Sequence, residues 1–213
     1  MKVAEFNEKK IFSEASGSCA VVNDNIKMNL NEYGIYEEIV MLDENVELDP
    51  VVAYVSPNLN EQIDESEISK KLYENIQGIQ YDERIGYFKS LYAGHVTEGE
   101  YRENASSGGM GTWILKELFE KDLIDGVIHV KENQDKSSPI MFQYDISRSI
   151  DEIKTGSKTR YYPVELSKVL KIVREVPGRY AIIGIPSFIM AVRLLAEKDG
   201  IIKDRIKFTV GLI

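Results

Sequence analysis

The chain has 213 residues, of which 43% are hydrophobic and 29% are charged, and its formal net charge is −9 at pH 7. These values are typical of a globular protein with one large domain, or with one domain and a small appendage. The acidic balance excludes a basic nucleic-acid surface, so we expect no nucleic-acid partner. The first residues lack the apolar core of a signal peptide, and no apolar run is long enough for a membrane helix. We therefore expect a cytoplasmic location and no membrane partner.

Cysteine and histidine usage restricts the chemistry further. The chain has one cysteine, Cys19, so no disulfide can form within it, which agrees with a reducing compartment. His95 and His129 have no second histidine or cysteine close by in sequence, and no metal site is predicted. The sequence also lacks a Gly-x-Ser-x-Gly elbow, a dinucleotide fingerprint and a P-loop.

The first half of the chain predicts few regular elements. Residues 1–48 contain turn signals but little periodicity, which predicts a less regular N-terminal appendage. The apolar run 51–55 predicts a short buried strand, residues 60–76 predict an acidic amphipathic helix, and residues 87–96 predict a strand rich in aromatic and β-branched residues. The apolar positions of the helix are Ile63, Ile68, Leu72 and Ile76.

The second half alternates strands with helices, which predicts an α/β fold with a mixed, partly parallel sheet flanked by helices. The predicted strands span residues 126–130, 139–144, 180–185 and 206–210. The predicted helices span residues 107–121, 163–174 and 187–197, with Pro163 near the first turn of the second. In the first helix, Met110, Trp113, Ile114 and Leu118 lie at helical spacing, and we interpret this stripe as core packing.

The segment Ser106, Ser107, Gly108 and Gly109 lies where a loop is predicted to become a helix. A serine side chain can cap a helix, glycines let a ligand approach the backbone, and the positive end of the helix dipole attracts phosphate. A plain capped helix without a ligand explains the same residues, and the chemistry alone leaves both interpretations open.

A second turn segment begins at Gly156 and Ser157. Lys158 and Arg160 follow and suit contact with phosphate, and Tyr161 is able to cover a planar ring. An exposed basic loop on an acidic protein is the alternative interpretation.

A third turn segment, Gly184–Phe188, joins a predicted strand to a predicted helix. Turns at the carboxyl ends of strands are where α/β folds bind ligands. Ser187 in this turn suits helix capping equally well.

Taken in order, these segments resemble the family of coenzyme F420 hydrogenase/dehydrogenase beta subunits. That family has a strand leading to an Arg-x-x-(Ala/Ser)-Ser-Gly-Gly motif, a further strand, a Gly-Ser-Lys-Tyr loop, a Val-Gly-Thr-Pro-Cys turn and a Gly-Leu-Phe-Cys region. The segments that resemble them are Gly86–Gly109, Leu118–Val130, Thr155–Lys158, Ala181–Ser187 and Phe208–Ile213. Thr159 and Arg160 displace the aromatic residue that follows lysine in the family.

The resemblance implies an FAD-binding oxidoreductase that transfers electrons between iron–sulfur clusters and a deazaflavin-like or other acceptor, beside a redox partner protein. Which side chains take part in catalysis is left open by the resemblance. The residues expected to hold the cofactor are Ser106, Ser107, Gly108, Gly109, Gly156, Ser157, Lys158 and Arg160.

The chain departs from the family pattern at its cysteines. The family's N-terminal cysteine run corresponds to residues 13–20, where Cys19 stands alone, and Ser187 takes the place of the cysteine in the Pro-Cys turn. One thiolate cannot hold a cluster that takes four, so no iron–sulfur cluster is expected in this chain. We predict a degenerate ferredoxin-like segment over residues 1–48 and an α/β flavin-binding-type domain over residues 49–213, with further polypeptide beyond Ile213.

Two other functions stay open at this point. A non-catalytic relative would keep the fold and act as an interaction or assembly module, for instance beside a polysaccharide-modifying pathway. A phosphate-binding domain would use the helix terminus at Ser107 for a different nucleotide.

Overall fold

The computed structural model describes residues 1–212, except for the side chain of residue 12. The helices are α1 (Val3–Lys9), α2 (Ser18–Val22), α3 (Pro50–Tyr54), α4 (Glu65–Tyr73), α5 (Met110–Glu120), α6 (Ile150–Thr155), α7 (Ser167–Glu175), α8 (Pro186–Lys198) and α9 (Gly200–Arg205). The strands are β1 (Ile26–Leu30), β2 (Tyr36–Val40), β3 (Gln80–Asp82), β4 (Gly86–Phe88), β5 (Gly126–Glu132), β6 (Phe142–Ser147), β7 (Tyr180–Gly184) and β8 (Ile206–Gly211). No helix within residues 1–212 combines the length and the apolar character needed to cross a bilayer.

The central sheet has four strands in the order β6-β5-β7-β8. β5, β7 and β8 run parallel, and β6 pairs antiparallel with β5. The carboxyl ends of the three parallel strands therefore meet at one edge of the sheet, which is where α/β folds place ligands. The predicted α/β class with a mixed, partly parallel sheet flanked by helices is confirmed.

Helices cover both faces of this sheet. On one face, Leu115 of α5 and Ile153 of α6 pack against Val127 and Ala181 of the central strands. The opposite face belongs to a larger buried cluster that includes α7, α8 and α9. Because burial of a large aliphatic side chain stabilises a fold by about 1.5–3 kcal/mol, these two layers dominate the stability of the sheet.

The N-terminal appendage contains α1, α2 and an antiparallel hairpin of β1 and β2. Its buried side chains Phe6, Val21 and Ile26 belong to the same cluster as Leu166 and Leu170 near and within α7. The appendage thus shares the larger core with the α/β part of the chain, and the division at residue 48 stays a prediction.

The strand predicted for residues 51–55 is wrong, because these residues form helix α3. Asp49 accepts a hydrogen bond from the backbone N–H of Val51 at 2.9 Å, and Pro50 occupies the first helical position. Both features favour a helix start. A short apolar run does not distinguish a buried strand from a buried helix, and the capping residues before it decide the outcome.

Several predicted boundaries are also wrong. The helix predicted over residues 60–76 is confined to α4, which starts after the cap at Asp64 and leaves Leu72 and Ile76 exposed. The strand predicted over residues 87–96 reduces to β4, so His95 lies in a loop. Three further elements begin later than predicted. β6 begins at Phe142, α5 begins at Met110, and α7 begins at Ser167, so Pro163 lies outside that helix.

The core interpretation of the α5 stripe is wrong for two of its members. Met110 and Ile114 are 44% and 37% exposed, whereas Leu115 and Lys116 face inward. The strands near residues 126–130, 180–185 and 206–210 and the helix near residues 187–197 are confirmed. Ile213, the last residue of the segment that resembles the family's final strand, lies outside the described residues.

Candidate functional site

The first turn of α5 lies at the carboxyl edge of the parallel strands. A Cβ built on Gly111 would come within 3.3 Å of Ile183 Cδ1 in β7 and 3.9 Å of Leu212 Cδ2 just after β8. The helix N-terminus and the strand ends thus meet at the position where ligands bind in this class of fold.

The turn before α5 is built from glycine and not from a serine cap. Gly109 is the N-cap residue, with φ +80°, and a Cβ there would lie 2.7 Å from the carbonyl oxygen of Tyr101. No side chain within residues 1–212 caps α5, so the predicted serine cap at Ser106 or Ser107 is wrong. The N–H groups of the first turn have no acceptor within the helix, and such groups suit an anionic ligand.

Gly156 starts the second segment, directly above a buried histidine. A Cβ on Gly156 would lie only 1.9 Å from Nδ1 of His129, so the loop can pass at this height only with glycine. The imidazole is 4% exposed, and its Nε2 lies 2.7 Å from Oγ of Ser147. Burial, with a smaller contribution from the positive charge of Lys131, lowers the pKa of His129 to about 4. The ring is therefore a neutral support at neutral pH.

Lys158 has an exposed side chain and a left-handed backbone conformation, with φ +75°. For a residue with a Cβ this conformation costs about 1–2 kcal/mol. Such strain is found preferentially where a loop is held for function. Arg160 packs its guanidinium over the ring of Phe142 at 5.4 Å, whereas Tyr161 is 96% exposed.

The two predicted binding segments contact each other, although about 50 residues separate them. The backbone N–H of Thr159 donates to Oγ of Ser106 at 3.0 Å. Oγ of Ser157 lies 3.4 Å from Oγ1 of Thr112, on the first turn of α5. The structure thus brings the Ser-Gly-Gly turn and the Gly-Ser-Lys loop to one helix terminus.

A cavity of about 300 Å³ opens beside this contact, between the loop that precedes α5 and the end of α6. Tyr101 lines it and is 8% exposed, and its hydroxyl has no hydrogen-bond partner within residues 1–212. Nζ of Lys154 lies 5.7 Å from the Tyr101 ring centroid. A buried hydroxyl usually has a hydrogen-bond partner, so the Tyr101 hydroxyl is an exception. The sequence analysis predicted neither Tyr101 nor Lys154 as a site residue. The other lining residues are Gly99, Glu100, Asn104 and Ser157.

Lys116, also missed, holds the loop that carries Tyr101. Its Nζ contacts Glu98 at 2.7 Å, and Nε1 of Trp113 donates to the same carboxylate at 2.9 Å. The contact with Glu98, with further contacts to Glu117 and Glu120, raises the pKa of this lysine, which stays protonated. A lysine inside a buried helical face interrupts the apolar pattern, and this interruption was the available sequence signal.

The third predicted segment joins β7 to α8, but Ser187 does not cap the helix. Ile185 is the N-cap residue, and Pro186 occupies the first helical position. Ile185 and Leu212 are exposed at the carboxyl edge of the sheet, together with Met110 and Ile114 of α5. The edge therefore presents an apolar surface next to the two polar binding segments.

The region around Cys19 is closed and differs from a metal site. The thiol is buried and donates to the carbonyl oxygen of Val52 at 3.3 Å. Burial, with smaller contributions from Glu38 and Glu14, raises its pKa well above the usual range. Within residues 1–212, no three histidine, cysteine, aspartate or glutamate side chains are grouped so that they could hold a metal ion.

The residues at the carboxyl edge suit part of a dinucleotide cofactor. Gly108, Gly109 and Gly156 keep the backbone accessible, the α5 terminus suits a phosphate, and Lys158 adds a positive charge. The volume of the cavity is at the lower end of the range found for ligand sites, so the cavity can hold only part of a large cofactor. The Tyr101 hydroxyl beside the cavity is buried and has no partner within residues 1–212.

Comparison with known proteins finds similarities in a family model, in a curated protein and among solved structures. Residues 91–171, which include all of the predicted cofactor-binding residues, match the family described as coenzyme F420 hydrogenase/dehydrogenase, beta subunit N-term. A curated relative, one of the subunits of the F(420)H(2) dehydrogenase of Methanosarcina mazei, is 26% identical over 114 residues. That match covers 53% of this chain and 31% of the relative, so the chain spans about a third of that protein's length.

Among solved structures, a chain of the F420-reducing [NiFe] hydrogenase complex from Methanosarcina barkeri, in a xenon derivative, is 22% identical, with a TM-score of 0.48. The similarity covers 55% of this chain and 41% of that one. The family match over residues 91–171 confirms the resemblance drawn from the sequence motifs and supports a relation to the coenzyme F420 hydrogenase/dehydrogenase beta subunits, an electron-transfer oxidoreductase family, in the N-terminal region of these proteins.

Proposed function

We propose that this chain binds FAD at the carboxyl edge of its sheet and acts as a flavin-dependent oxidoreductase relative, transferring electrons to a deazaflavin-like or other acceptor. Bound FAD would supply the redox chemistry, and the protein would position and tune it. The relationship to an electron-transfer family supports the reaction class. A redox partner protein is part of the proposal, because the Methanosarcina mazei relative is one component of a larger dehydrogenase.

The contact between the Ser-Gly-Gly turn and the Gly-Ser-Lys loop carries this proposal. Two segments that suit phosphate individually lie against the same helix terminus, where Thr159 donates to Ser106. Two unrelated surface turns would not be expected to contact each other at one helix terminus. The imidazole of His129 lies directly beneath Gly156, where only glycine fits, and it supports the loop at a defined height.

Each residue has a distinct role in the proposed site. The open N–H groups at the α5 terminus and the ammonium group of Lys158 would bind the pyrophosphate. Ser157 and Ser106 hold the two segments together, and Ser107, exposed at the turn, is available to the same phosphates. Arg160 already packs on Phe142, so we expect it to orient the loop and to contact phosphate less directly than Lys158.

A titration of the purified chain with FAD tests the proposal. The chain has one tryptophan, Trp113, on the second turn of α5, so bound flavin should quench its fluorescence and alter the visible spectrum of FAD. FMN and ADP serve as matched probes that contain only one half of the cofactor. If FAD changes neither signal up to millimolar concentration, the proposal is wrong.

Lys158→Ala tests the site itself. Loss of a charge-assisted contact to phosphate should weaken FAD binding about tenfold, and the free energy of unfolding without FAD should not fall. Lys136→Ala, at an exposed position elsewhere, is the matched control and should leave the affinity unchanged. Equal affinities for both variants would place FAD elsewhere on the molecule.

The closed region around Cys19 favours a second candidate, a non-catalytic relative that keeps the fold as an interaction or assembly module. With one buried thiol and no grouped metal ligands among residues 1–212, this region offers no route for electrons through a bound cluster. A chain that binds a partner but no flavin would support this candidate. Binding of a nucleotide other than FAD would instead support the phosphate-binding alternative, and thermal shifts with a nucleotide panel distinguish the two.

A further inference from the structure

A groove with apolar walls follows the outer strand of the sheet, on the face opposite to α5. It consists of two adjoining cavities of about 270 Å³ and 300 Å³, which share Ile68, Leu72 and Arg193 as lining residues. The first cavity begins at Ile206 and the second ends at Gly211, so the groove runs the length of β8. The remaining apolar residues of its walls are Val192, Ala196, Pro186, Ile189 and Met190.

The strand beside this groove is an open edge. β8 is the last strand in the order β6-β5-β7-β8, and within residues 1–212 no strand pairs with its outer side. Unpaired N–H and C=O groups along an edge are a template for another extended segment. Side chains of such a segment alternate between the two faces, so every second one would enter the groove.

Charge distinguishes the two ends of the groove. The Ile206 end has three cationic side chains, Lys71, Arg193 and Lys203, and one carboxylate, Glu197. The Gly211 end has only Arg193 and Glu65. Lys71 pairs with Glu197 at 3.2 Å, and Nη2 of Arg193 donates to Thr209 at 2.8 Å. Lys203 is exposed and has no ion pair with a side chain of the described residues.

At this end of the groove three cations lie near one carboxylate, although the chain as a whole has a net charge of −9. Apolar walls along a strand edge that is unpaired within residues 1–212, with excess positive charge at one end, fit a segment of matching character. We infer that β8 and this groove bind an extended segment of a partner polypeptide by strand addition. The segment carries aliphatic side chains along its length and carboxylates at the end that meets Lys203 and Arg193. Main-chain hydrogen bonds then provide affinity, and the groove and the cations provide specificity.

This surface is separate from the proposed flavin site. The Ser-Gly-Gly turn and the Gly-Ser-Lys loop pack with α5, whereas the groove lies between α4 and α8. Binding at one site can therefore be measured while the other is left intact, and failure of either proposal does not remove the other.

Synthetic peptides test the inference. β8 has six residues and spans about 20 Å, so the probe is an eight-residue peptide of alternating valine and threonine with two glutamates at one end. It should bind the full chain in fluorescence anisotropy at micromolar to millimolar concentration. A peptide with lysines in place of the glutamates should bind about tenfold more weakly, and N-methylation of the amides that face β8 should abolish binding.

Two matched pairs of variants locate the binding. Lys203→Glu should weaken the acidic peptide about fivefold, while Lys27→Glu, an exposed lysine in β1, should not. Leu72→Ser should weaken it as well, whereas Leu123→Ser should not, although these leucines are 41% and 44% exposed. None of these variants should change a measured FAD affinity.

Three results would overturn the inference. One is absence of binding at millimolar peptide, and another is equal binding of the acidic and basic peptides. The third is a dimer in sedimentation at the same protein concentration that Lys203→Glu or Leu72→Ser dissociates, since the groove would then belong to a second copy of this chain.

Discussion

The segment around Cys19 and the edge around Gly109 and Gly156 are both places where the family resemblance implies a redox group, yet their physical states are opposite. In the N-terminal region, Ser13 donates to Glu38 at 2.7 Å and Ser18 donates to the carbonyl oxygen of Val55 at 2.8 Å. Both serine hydroxyls thus have hydrogen-bond acceptors inside the protein.

At the carboxyl edge several polar groups lack a partner within residues 1–212. The first turn of α5 has no side-chain cap within residues 1–212, the hydroxyl of Tyr101 has no partner there, and Lys158 is exposed. Unsatisfied polar groups are costly unless water or a ligand completes them. The difference teaches that two segments marked by the same resemblance can differ physically: the segment around Cys19 is closed by internal hydrogen bonds, whereas the edge around Gly109 leaves polar groups without a protein partner.

The largest expected effect concerns the histidine beneath the open site. The pKa of His129 is about 4 in the folded chain against 6.5 in its ordinary state, so folding excludes a proton. The stabilisation is fully present above pH 6.5 and is lost as the pH falls to about 4, a change of about 3 kcal/mol. His129→Gln should remove this part of the pH dependence in urea unfolding, whereas His95→Gln, on an exposed loop residue, should retain it. If both variants showed the same pH dependence of the free energy of unfolding, the burial of a neutral His129 would be contradicted.

The next effect concerns the glycine above that histidine. Gly156→Ala places a methyl group 1.9 Å from Nδ1 of His129, and the overpacking should cost about 2 kcal/mol in the free energy of unfolding. It should also lift the loop and weaken FAD binding. Gly200→Ala is the control, because nothing lies within 4 Å of a Cβ there. A loss of equal size in both variants would remove His129 as the reason for glycine at position 156.

A smaller effect is expected in the closed region. Cys19→Ala should lower the free energy of unfolding by about 1 kcal/mol, because it removes a buried, hydrogen-bonded sulfur. In the native wild type, burial and the raised pKa should keep the thiol unreactive toward alkylating reagents until the chain unfolds. Rapid labelling of the native protein would show that this region is open after all.

The smallest effect separates the two regions by function. Ala15 and Lys158 both have a left-handed backbone, with φ +53° and +75°, and glycine at either position should stabilise the fold by about 0.5 kcal/mol. Only Lys158→Gly should weaken FAD binding, because only that change removes a charge from the proposed site. Calorimetric unfolding and FAD titration of both variants measure the two quantities separately. If Ala15→Gly also weakened FAD binding, the region around Cys19 and the proposed FAD site would not be independent.

Much of the α/β half could be predicted because its signals are local. β7 is a short apolar run, β8 alternates apolar and polar residues, and α8 has a long helical period, so their positions follow from a few neighbouring residues. The prediction failed at residues 51–55, where an apolar run became helix α3 after Asp49 and Pro50. It also failed at α5, because Gly109 takes the start of the helix and the inward face includes Lys116.

For the candidate site, the chain order of the motifs was enough to predict which segments contribute. Their contact, the support of Gly156 by His129 and the cavity at Tyr101 could not be predicted, since each joins residues that are distant in sequence. Tyr101 in particular has no local pattern that would mark it, because an unpartnered hydroxyl is a property of what surrounds the side chain.

The amino-acid sequence by itself determined the class of the fold, the acidic net charge, the presence of a single cysteine and the resemblance to the family, because these depend on residue types and their order. Tertiary structure alone decided that residues 13–20 close into a hydrogen-bonded network while the turn at Gly109 stays open. The physical reason is that burial and hydrogen-bond satisfaction are set by neighbours from other parts of the chain. From serine and glycine residues in a turn, one cannot predict whether the turn will pack against a partner such as Glu38 or lie at an open edge of the sheet.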